Sequence, residues 1–512
     1  MRERFGRLLA TAAIIVCVAA AVTSNAWAED SPPPLRVGFA ERDITPEIGM
    51  EQPGGYGKSF HGSFHDPCKV RASVFDDGKH RVAVVGLDAL IIRRSTATVA
   101  REKIRDRCGI PPEAVLIAAS HSHSSGPTGM VLPGEYDDAS DLAKKLAYEK
   151  SSCADPTYLA LVVERIVDAV CAADDGKTQA KCSFGVGIED QVAYNRRFHM
   201  KNGLSYTHPG QGNPDMLDPA GPVDPDVGVI GAFNAKGDLL GCIVNFSCHA
   251  TTSPGGISAN YIYYLEKVIR GAFGSDVVVV FLNGACADVT QVDNRSPYTH
   301  PQREQWAKMV GGRVGAEAVK VLFSAEPGGD VPVDFASTTL TLHRRIPSPD
   351  RVKACIEMVQ KDPEDVGSTE WTFAKEIVLL DALIAKHLTV EAEVQAIQIG
   401  PVVMISDPAE YFCQFGLDLK QESPFPITFP VELANGCVGY VPTEEALGPH
   451  GGGYETRLTS YSNLEPAAGR KMVEAGLALA RTMKPGAVPT RPPHAPFRGA
   501  GWSYGSVPPE LK

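Results

Sequence analysis

The feature that most constrains this chain is a recurring one: short, fully apolar runs that stop abruptly in small, polar, chemistry-bearing loops. Ala114-Val115-Leu116-Ile117 gives way to Ala118-Ala119-Ser120-His121-Ser122-His123-Ser124-Ser125-Gly126-Pro127. Residues 239 to 246 run into Ser247-Cys248-His249, residues 277 to 282 open onto Asn283-Gly284-Ala285-Cys286-Ala287-Asp288-Val289-Thr290, and residues 402 to 406 precede Asp407-Pro408-Ala409-Glu410. An apolar run bounded by turn formers reads as a buried strand, and open α/β sheets put ligand sites beyond the carboxyl ends of such strands. Residues two apart on a strand share a side, so His121 and His123 are expected to face one pocket, one as metal ligand and the other as acid or base. The bland alternative is a pair of surface-loop histidines satisfied by neighbouring serine hydroxyls.

Helical patterns alternate with these strands. Residues 35 to 40 read as a strand closed by a polar turn, Arg42-Asp43-Ile44-Thr45-Pro46, and a Gly-rich loop follows, Pro53-Gly54-Gly55-Tyr56-Gly57. Such a loop lets backbone approach a ligand closely, although a plain turn fits it equally well. Strands at 70 to 75 and 81 to 87, then a helix at 96 to 107 stopped by Gly109 and Pro111, imply a sheet with parallel members. Residues 130 to 156 show no strong period and read as a long connection. Residues 158 to 173 read as a helix, and 181 to 187 as a strand. Tyr194-Asn195-Arg196-Arg197 leads into a Gly/Pro-rich loop reaching 226, a candidate binding segment. Residues 227 to 233 and 239 to 246 form a hairpin pattern. Further on, helices are expected at 260 to 273, 305 to 323, 371 to 386 and 466 to 483. A strand pair is expected at 331 to 343, and a helix opening near Tyr411, where Glu410 could be a first-turn acid. The sum is an α/β protein of mixed sheets with flanking helices, expected to occupy residues 29 to 484 as one large domain.

Residues 1 to 28 have the form of a secretory leader: Arg2, Arg4 and Arg7 precede an apolar stretch, and Ala26-Trp27-Ala28 offers a cleavage site. The mature protein is therefore expected outside the cytoplasm, secreted or periplasmic. Losing three Arg and Glu3 with the leader moves the formal charge from -12 to -14. An acidic chain without a basic run argues against nucleic-acid partners. No later segment reaches the roughly 18 uncharged apolar residues of a membrane span. A Pro-rich tail is expected from 485 to 512, and nothing fixes an oligomeric state. Of twelve cysteines Cys17 lies in the leader. Cys108, Cys153, Cys171 and Cys182 are disulfide candidates of undetermined connectivity, whereas Cys242, Cys248 and Cys286 read as inert buried thiols.

Four places together, in order and spacing, resemble the neutral, non-lysosomal ceramidase family: the early Asp-Ile-Thr-Pro turn, the Ser-His-Ser-His-Ser-Ser-Gly-Pro loop, the Asn-Gly to Ala-Asp-Val-Thr stretch, and Asn435-Gly436-Cys437-Val438-Gly439-Tyr440-Val441-Pro442-Thr443-Glu444-Glu445. The similarity spans nearly all of residues 36 to 483. The resemblance implies a catalytic zinc held by His121, His249, Glu410 and Tyr440, with room left for a water whose pKa the metal lowers to about 7. It further implies that His123 shuttles a proton to the leaving nitrogen and that Arg196 and Tyr454 stabilise the oxyanion of a small-molecule or lipid amide.

This chain also departs from the family pattern. Thr290-Gln291 stands where relatives carry Ser-Pro, Asn260-Tyr261 stands where they carry Asp-Tyr, and the family's C-terminal immunoglobulin-like domain is expected to be missing. Thr290 is assigned to orienting substrate or supporting its loop. The expected function is a secreted zinc-dependent amidohydrolase of the ceramidase type. Two alternatives are a metallohydrolase of the same fold acting on another amide or ester, and a non-catalytic binding protein that kept the fold.

Overall fold

The computed structural model describes residues 34 to 512 apart from Ser506. The leader expected over residues 1 to 28 lies outside the described residues. The chain opens with three antiparallel strands rich in Val, Ala and Phe, β1 (Arg36–Asp43), β2 (Lys69–Asp76) and β3 (Arg81–Leu87). β1 runs on into Arg42 and Asp43, the first two residues of the expected turn, and the chain leaves the strand at Ile44. Its charged end is satisfied across the ladder, where Lys69 Nζ meets Glu41 at 3.0 Å. Helix α1 (Arg94–Cys108) stops at Gly109, whose φ of 69° suits a residue without a Cβ, and delivers the chain to β4 (Val115–Ala119), parallel to β3. The expected parallel pair is thus present.

Helix α2 (Asp141–Lys150) lies inside the stretch read as a connection; Ser140 caps it, and only Ala143, Leu146 and Ala147 are buried, too few apolar positions to announce a period. After α3 (Pro156–Asp175), β5 (Thr178–Gln179) completes a sheet ordered β4-β3-β2-β1-β5.

β6 (Lys181–Ile188) begins the second sheet. Short strands follow, β7 (Tyr194–Asn195), β8 (Arg197–Met200), β9 (Ser205–Thr207) and β10 (Met216–Pro219). The last three form a small sheet within the supposed loop, each too short to display alternation. The expected hairpin is β11 (Asp226–Phe233) with β12 (Leu239–Phe246). Helix α4 (Tyr261–Phe273) returns the chain to β13 (Val278–Asn283), parallel to β12, in the order β13-β12-β11-β6. β14 (Val289–Thr290) pairs with β7, and α5 (Glu304–Ser324) closes this part.

The third sheet starts with β15 (Val333–His343), a single strand and not the strand pair expected; helices α6 (Pro349–Met358), α7 (Pro363–Val366) and α8 (Ser368–Lys386) separate it from its partner β16 (Thr389–Ile399). β17 (Val402–Ser406) leads to β18 (Glu410–Tyr411), α9 (Cys413–Glu422), β19 (Ile427–Val431), β20 (Tyr440–Val441) and α10 (Ala468–Ala480). The sheet order is β15-β16-β17-β19, with β18 and β20 as a separate parallel pair. Glu410 is therefore not in a helix's first turn, because Tyr411 is still tied to Val441.

The sheets pack closely at glycines, against backbone in one place and against a ring in another. A Cβ on Gly86 of β3 would stand 2.5 Å from Phe281 O of β13, and one on Gly228 of β11 would stand 2.2 Å from the Phe429 ring of β19. That packing brings the carboxyl ends of β4, β12, β13 and β17 into one region. No described helix is long and apolar enough to cross a membrane. The eleven described cysteines are free, with the Cys108 and Cys171 sulfurs 2.8 Å apart between α1 and α3. Beyond residue 485 the described chain forms neither helix nor strand.

Candidate active site

β4 ends at Ala119, and the following turn is fastened to its neighbours. Ser120 N–H donates to Leu87 O (2.8 Å) and Ser122 N–H to Ala89 O (3.1 Å). From the other side Asn435 brackets Ile117, donating through its N–H (2.8 Å) and accepting through Oδ1 (2.9 Å). His121 stands at φ 60°, so the two histidines meet through a turn and not through the alternation of a strand. His249 follows β12 and donates its N–H to Val289 O (3.1 Å), while His123 N–H donates to Ala250 O (3.2 Å), joining the two histidine loops.

The donor atoms converge. His121 Nδ1 lies 3.0 Å from Leu90 O and His249 Nδ1 lies 2.8 Å from Cys286 O. A carbonyl can only accept, so each Nδ1 carries the proton and each Nε2 keeps a lone pair aimed inward. Both Nε2 atoms lie 3.4 Å from Glu410 Oε2, and His123 Nε2 lies 3.2 Å from His121 Nε2. His249 Nε2 and Glu410 Oε2 are buried without a hydrogen-bond partner. Orphaned buried polar atoms are costly, and two imidazoles with one carboxylate are a donor set that suits a zinc-like divalent cation. His121, His123 and His249 place ligand atoms within 4.8 Å of one another.

The electrostatics agree with a cation here. Burial disfavours the Glu410 carboxylate, yet His121 and His249 outweigh it and hold its pKa well below the usual range. Burial likewise disfavours positive charge on His121, and Glu410 outweighs it and raises the imidazole's pKa, so this position favours positive charge. His249 is held down to about 3 by burial and then by Arg196.

Tyr440 is joined to Glu410 through the β18–β20 ladder, while its hydroxyl accepts from Arg196 Nη2 (3.3 Å) and lies 3.1 Å from Tyr454 Oη. Arg196 is buried, its Nε donating to Glu455 (2.8 Å) and its guanidinium 5.2 Å from the centre of the Tyr454 ring. His121, His123, Glu410, Tyr440 and Tyr454 line one cleft of about 340 Å³. The structure thus gathers seven of the eight residues picked from the sequence. Thr290 stands apart from the cleft lining: its Oγ1 accepts Val292 N–H (3.1 Å), and its strand borders Asn195 next to Arg196.

One participant, Glu455, escaped sequence reasoning, and two more, Gly54 and Tyr56, belong to the Gly-rich loop that the sequence left open between a close approach and a plain turn. Glu455 holds Arg196 and also accepts from Thr207 (2.5 Å), its only signal being adjacency to Tyr454. Gly54 lies against His123, where a Cβ would come within 2.2 Å of Nδ1, so the Gly-rich loop is a close approach. Tyr56 of that loop lines the cleft.

No protein-family model matches the chain. In sequence it is 26% identical over 250 residues to the neutral ceramidase of Pseudomonas aeruginosa, a stretch covering 47% of this chain and 34% of that relative. The match spans about a third of the curated relative's length. In structure it superposes on the crystal structure of neutral ceramidase from Pseudomonas aeruginosa with a TM-score of 0.65 and 18% identity, over 90% of this chain and 77% of that one. The chain has the neutral ceramidase fold. A ceramidase structure complexed with C2 aligns equally, with a TM-score of 0.65, 17% identity and the same shares of both chains. The resemblance to neutral ceramidase read from four sequence motifs is borne out, as is the mixed α/β architecture.

Proposed function

We propose that this protein is a secreted or periplasmic zinc-dependent amidohydrolase of the ceramidase type, cleaving the amide of an N-acyl lipid. One observation carries the reading: His249 Nε2 and Glu410 Oε2, buried and unpartnered, face His121 Nε2 in a cleft of the neutral ceramidase fold. His121, His249 and Glu410 would hold the ion, with Tyr440 completing the set from the strand beside Glu410. Bound there, zinc supplies a Lewis acid and an acidified water for attack on an amide carbonyl.

The chain's own groups supply the rest. Arg196 is fixed by Glu455 and Tyr440, so its charge is already in place when negative charge grows on the carbonyl oxygen. Tyr454, lining the cleft with its proton retained through burial, donates to the same oxygen. His123 lies 3.2 Å from His121 Nε2, lines the same cleft and carries a proton to the leaving nitrogen. The test is a screen of zinc-loaded mature protein against labelled ceramide and a panel of simple amides and esters. Release of fatty acid from ceramide is the expected result. Turnover of only short amides or esters would favour a different substrate class on the same machinery, and no turnover at all would contradict the reading.

A further inference from the structure

Helices α1 and α3 lie side by side and are joined along one seam by three side-chain pairs in step. Lys103 meets Glu164, Arg107 Nη1 donates to Asp168 (2.8 Å), and the Cys108 and Cys171 sulfurs stand 2.8 Å apart. Cys108 is the half-buried last residue of α1, and Cys171 is buried on α3. Arg81 of β3 clamps both helix ends, donating to Cys108 O (2.9 Å) and to Asp174 (3.0 Å), three residues beyond Cys171.

A sulfur–sulfur bond measures about 2.05 Å, so less than one ångström separates these thiols from bonding distance. The other two disulfide candidates read from the sequence lie elsewhere. Cys153 Sγ donates toward the carbonyls of Ala147 (3.4 Å) and Ser151 (3.3 Å), and Cys182 is buried in β6. Among the described residues no other two cysteine sulfurs make such a contact with each other.

We propose that Cys108 and Cys171 are an oxidation site and that the functioning protein carries them as a disulfide stapling α1 to α3. Two S–H bonds break and one S–S bond forms, while the two hydrogens reduce a disulfide of the exchange donor to two thiols. The residues joined are 63 apart, and the closed loop contains β4 and the whole His121–His123 turn. The bridge therefore restricts the unfolded states of the segment that bears two of the site histidines. Burial, and then Cys171, push the Cys108 thiol up to about 12, so no thiolate there stabilises the reduced pair, and the bridge is structural and not an exchange catalyst. The inference does not depend on the amidohydrolase reading of the cleft.

The test reduces the purified mature chain under native conditions, removes the reductant, incubates it with oxidised glutathione, alkylates it in denaturant and maps its peptides without reduction. The expected map shows the Cys108 and Cys171 peptides linked, two hydrogens lighter than their sum, with every other cysteine alkylated. The oxidised wild type should melt several degrees above its reduced form, while reductant should leave a Cys108→Ser, Cys171→Ser variant unchanged. Alkylation of both cysteines after oxidation, a glutathione adduct on either in place of the link, or a link from either to a different cysteine would overturn the proposal. So would a bridge that forms without raising the melting temperature. If the double variant does not fold, the wild-type map and its oxidised and reduced melting temperatures decide alone.

Discussion

Glu410 and Tyr440 stand directly opposite each other in a two-residue parallel ladder, with Glu410 N–H donating to Gly439 O at 2.9 Å. A candidate ligand and the tyrosine that packs on Arg196 are thus fixed by one backbone pairing between segments 30 residues apart in sequence. The contributions of the individual site residues can be separated by variant.

His123→Ala and Arg196→Ala should each retain zinc and lose roughly a hundredfold in turnover, the scale of a missing proton shuttle or oxyanion donor. Metal analysis and kcat on the same folded preparations check this. Unaltered turnover would mean that His123 only packs beneath its loop and that Arg196 serves only its ion pair with Glu455.

Thr290→Val removes a hydroxyl whose visible partner is Val292 N–H. The loss should be about 1 kcal/mol of stability with hydrolysis retained, whereas His121→Ala should abolish it. An acyl adduct on Thr290 seen by mass spectrometry, together with an inactive folded Thr290→Val, would contradict the account.

Gly54→Ala places a Cβ within 2.2 Å of His123 Nδ1 at a backbone φ of 109°. Turnover should fall by about tenfold or more with zinc retained, since small misplacements of a proton carrier are amplified in rate. Kinetics of a folded, metal-loaded Gly54→Ala variant that match wild type would refute the close-approach role.

Away from the site, Arg71 is buried between Asp88 (2.7 Å) and Glu266. Burial raises the Glu266 pKa, but Arg71 and then Lys69 outweigh it and bring it down to about 2. A depressed carboxylate pKa stabilises the fold above its unfolded value, about 4.3, and that stability is lost as pH falls towards 2. Asp88 goes the other way, pushed up to about 6 by burial despite Arg71, so its ionisation opposes folding as pH rises through that range. Melting temperatures between pH 5 and pH 2.5 should therefore fall less steeply for Glu266→Gln than for wild type; parallel curves would refute the assignment.

Most of the regular framework was legible because its strands are unbroken apolar runs and its long helices carry a clear stripe. The carboxyl-end loops were legible for the same reason: a change from Val and Leu to His, Asp or Glu is visible in one dimension. What escaped depended on long-range pairing. Glu410 looked like a first-turn acid because nothing near it in sequence reveals Tyr440 across a ladder, and β8, β9 and β10 are too short to show a period. Glu455 matters through a partner on another element, Arg196.

The central claim is that His121, His249 and Glu410 hold a zinc ion, and the most direct measurement is elemental analysis of the purified mature protein after mild dialysis. The account predicts one zinc per chain in wild type, and loss of it in a folded variant carrying both His121→Ala and His249→Ala. A wild-type protein without zinc, or a zinc content unchanged in the double variant, would contradict it.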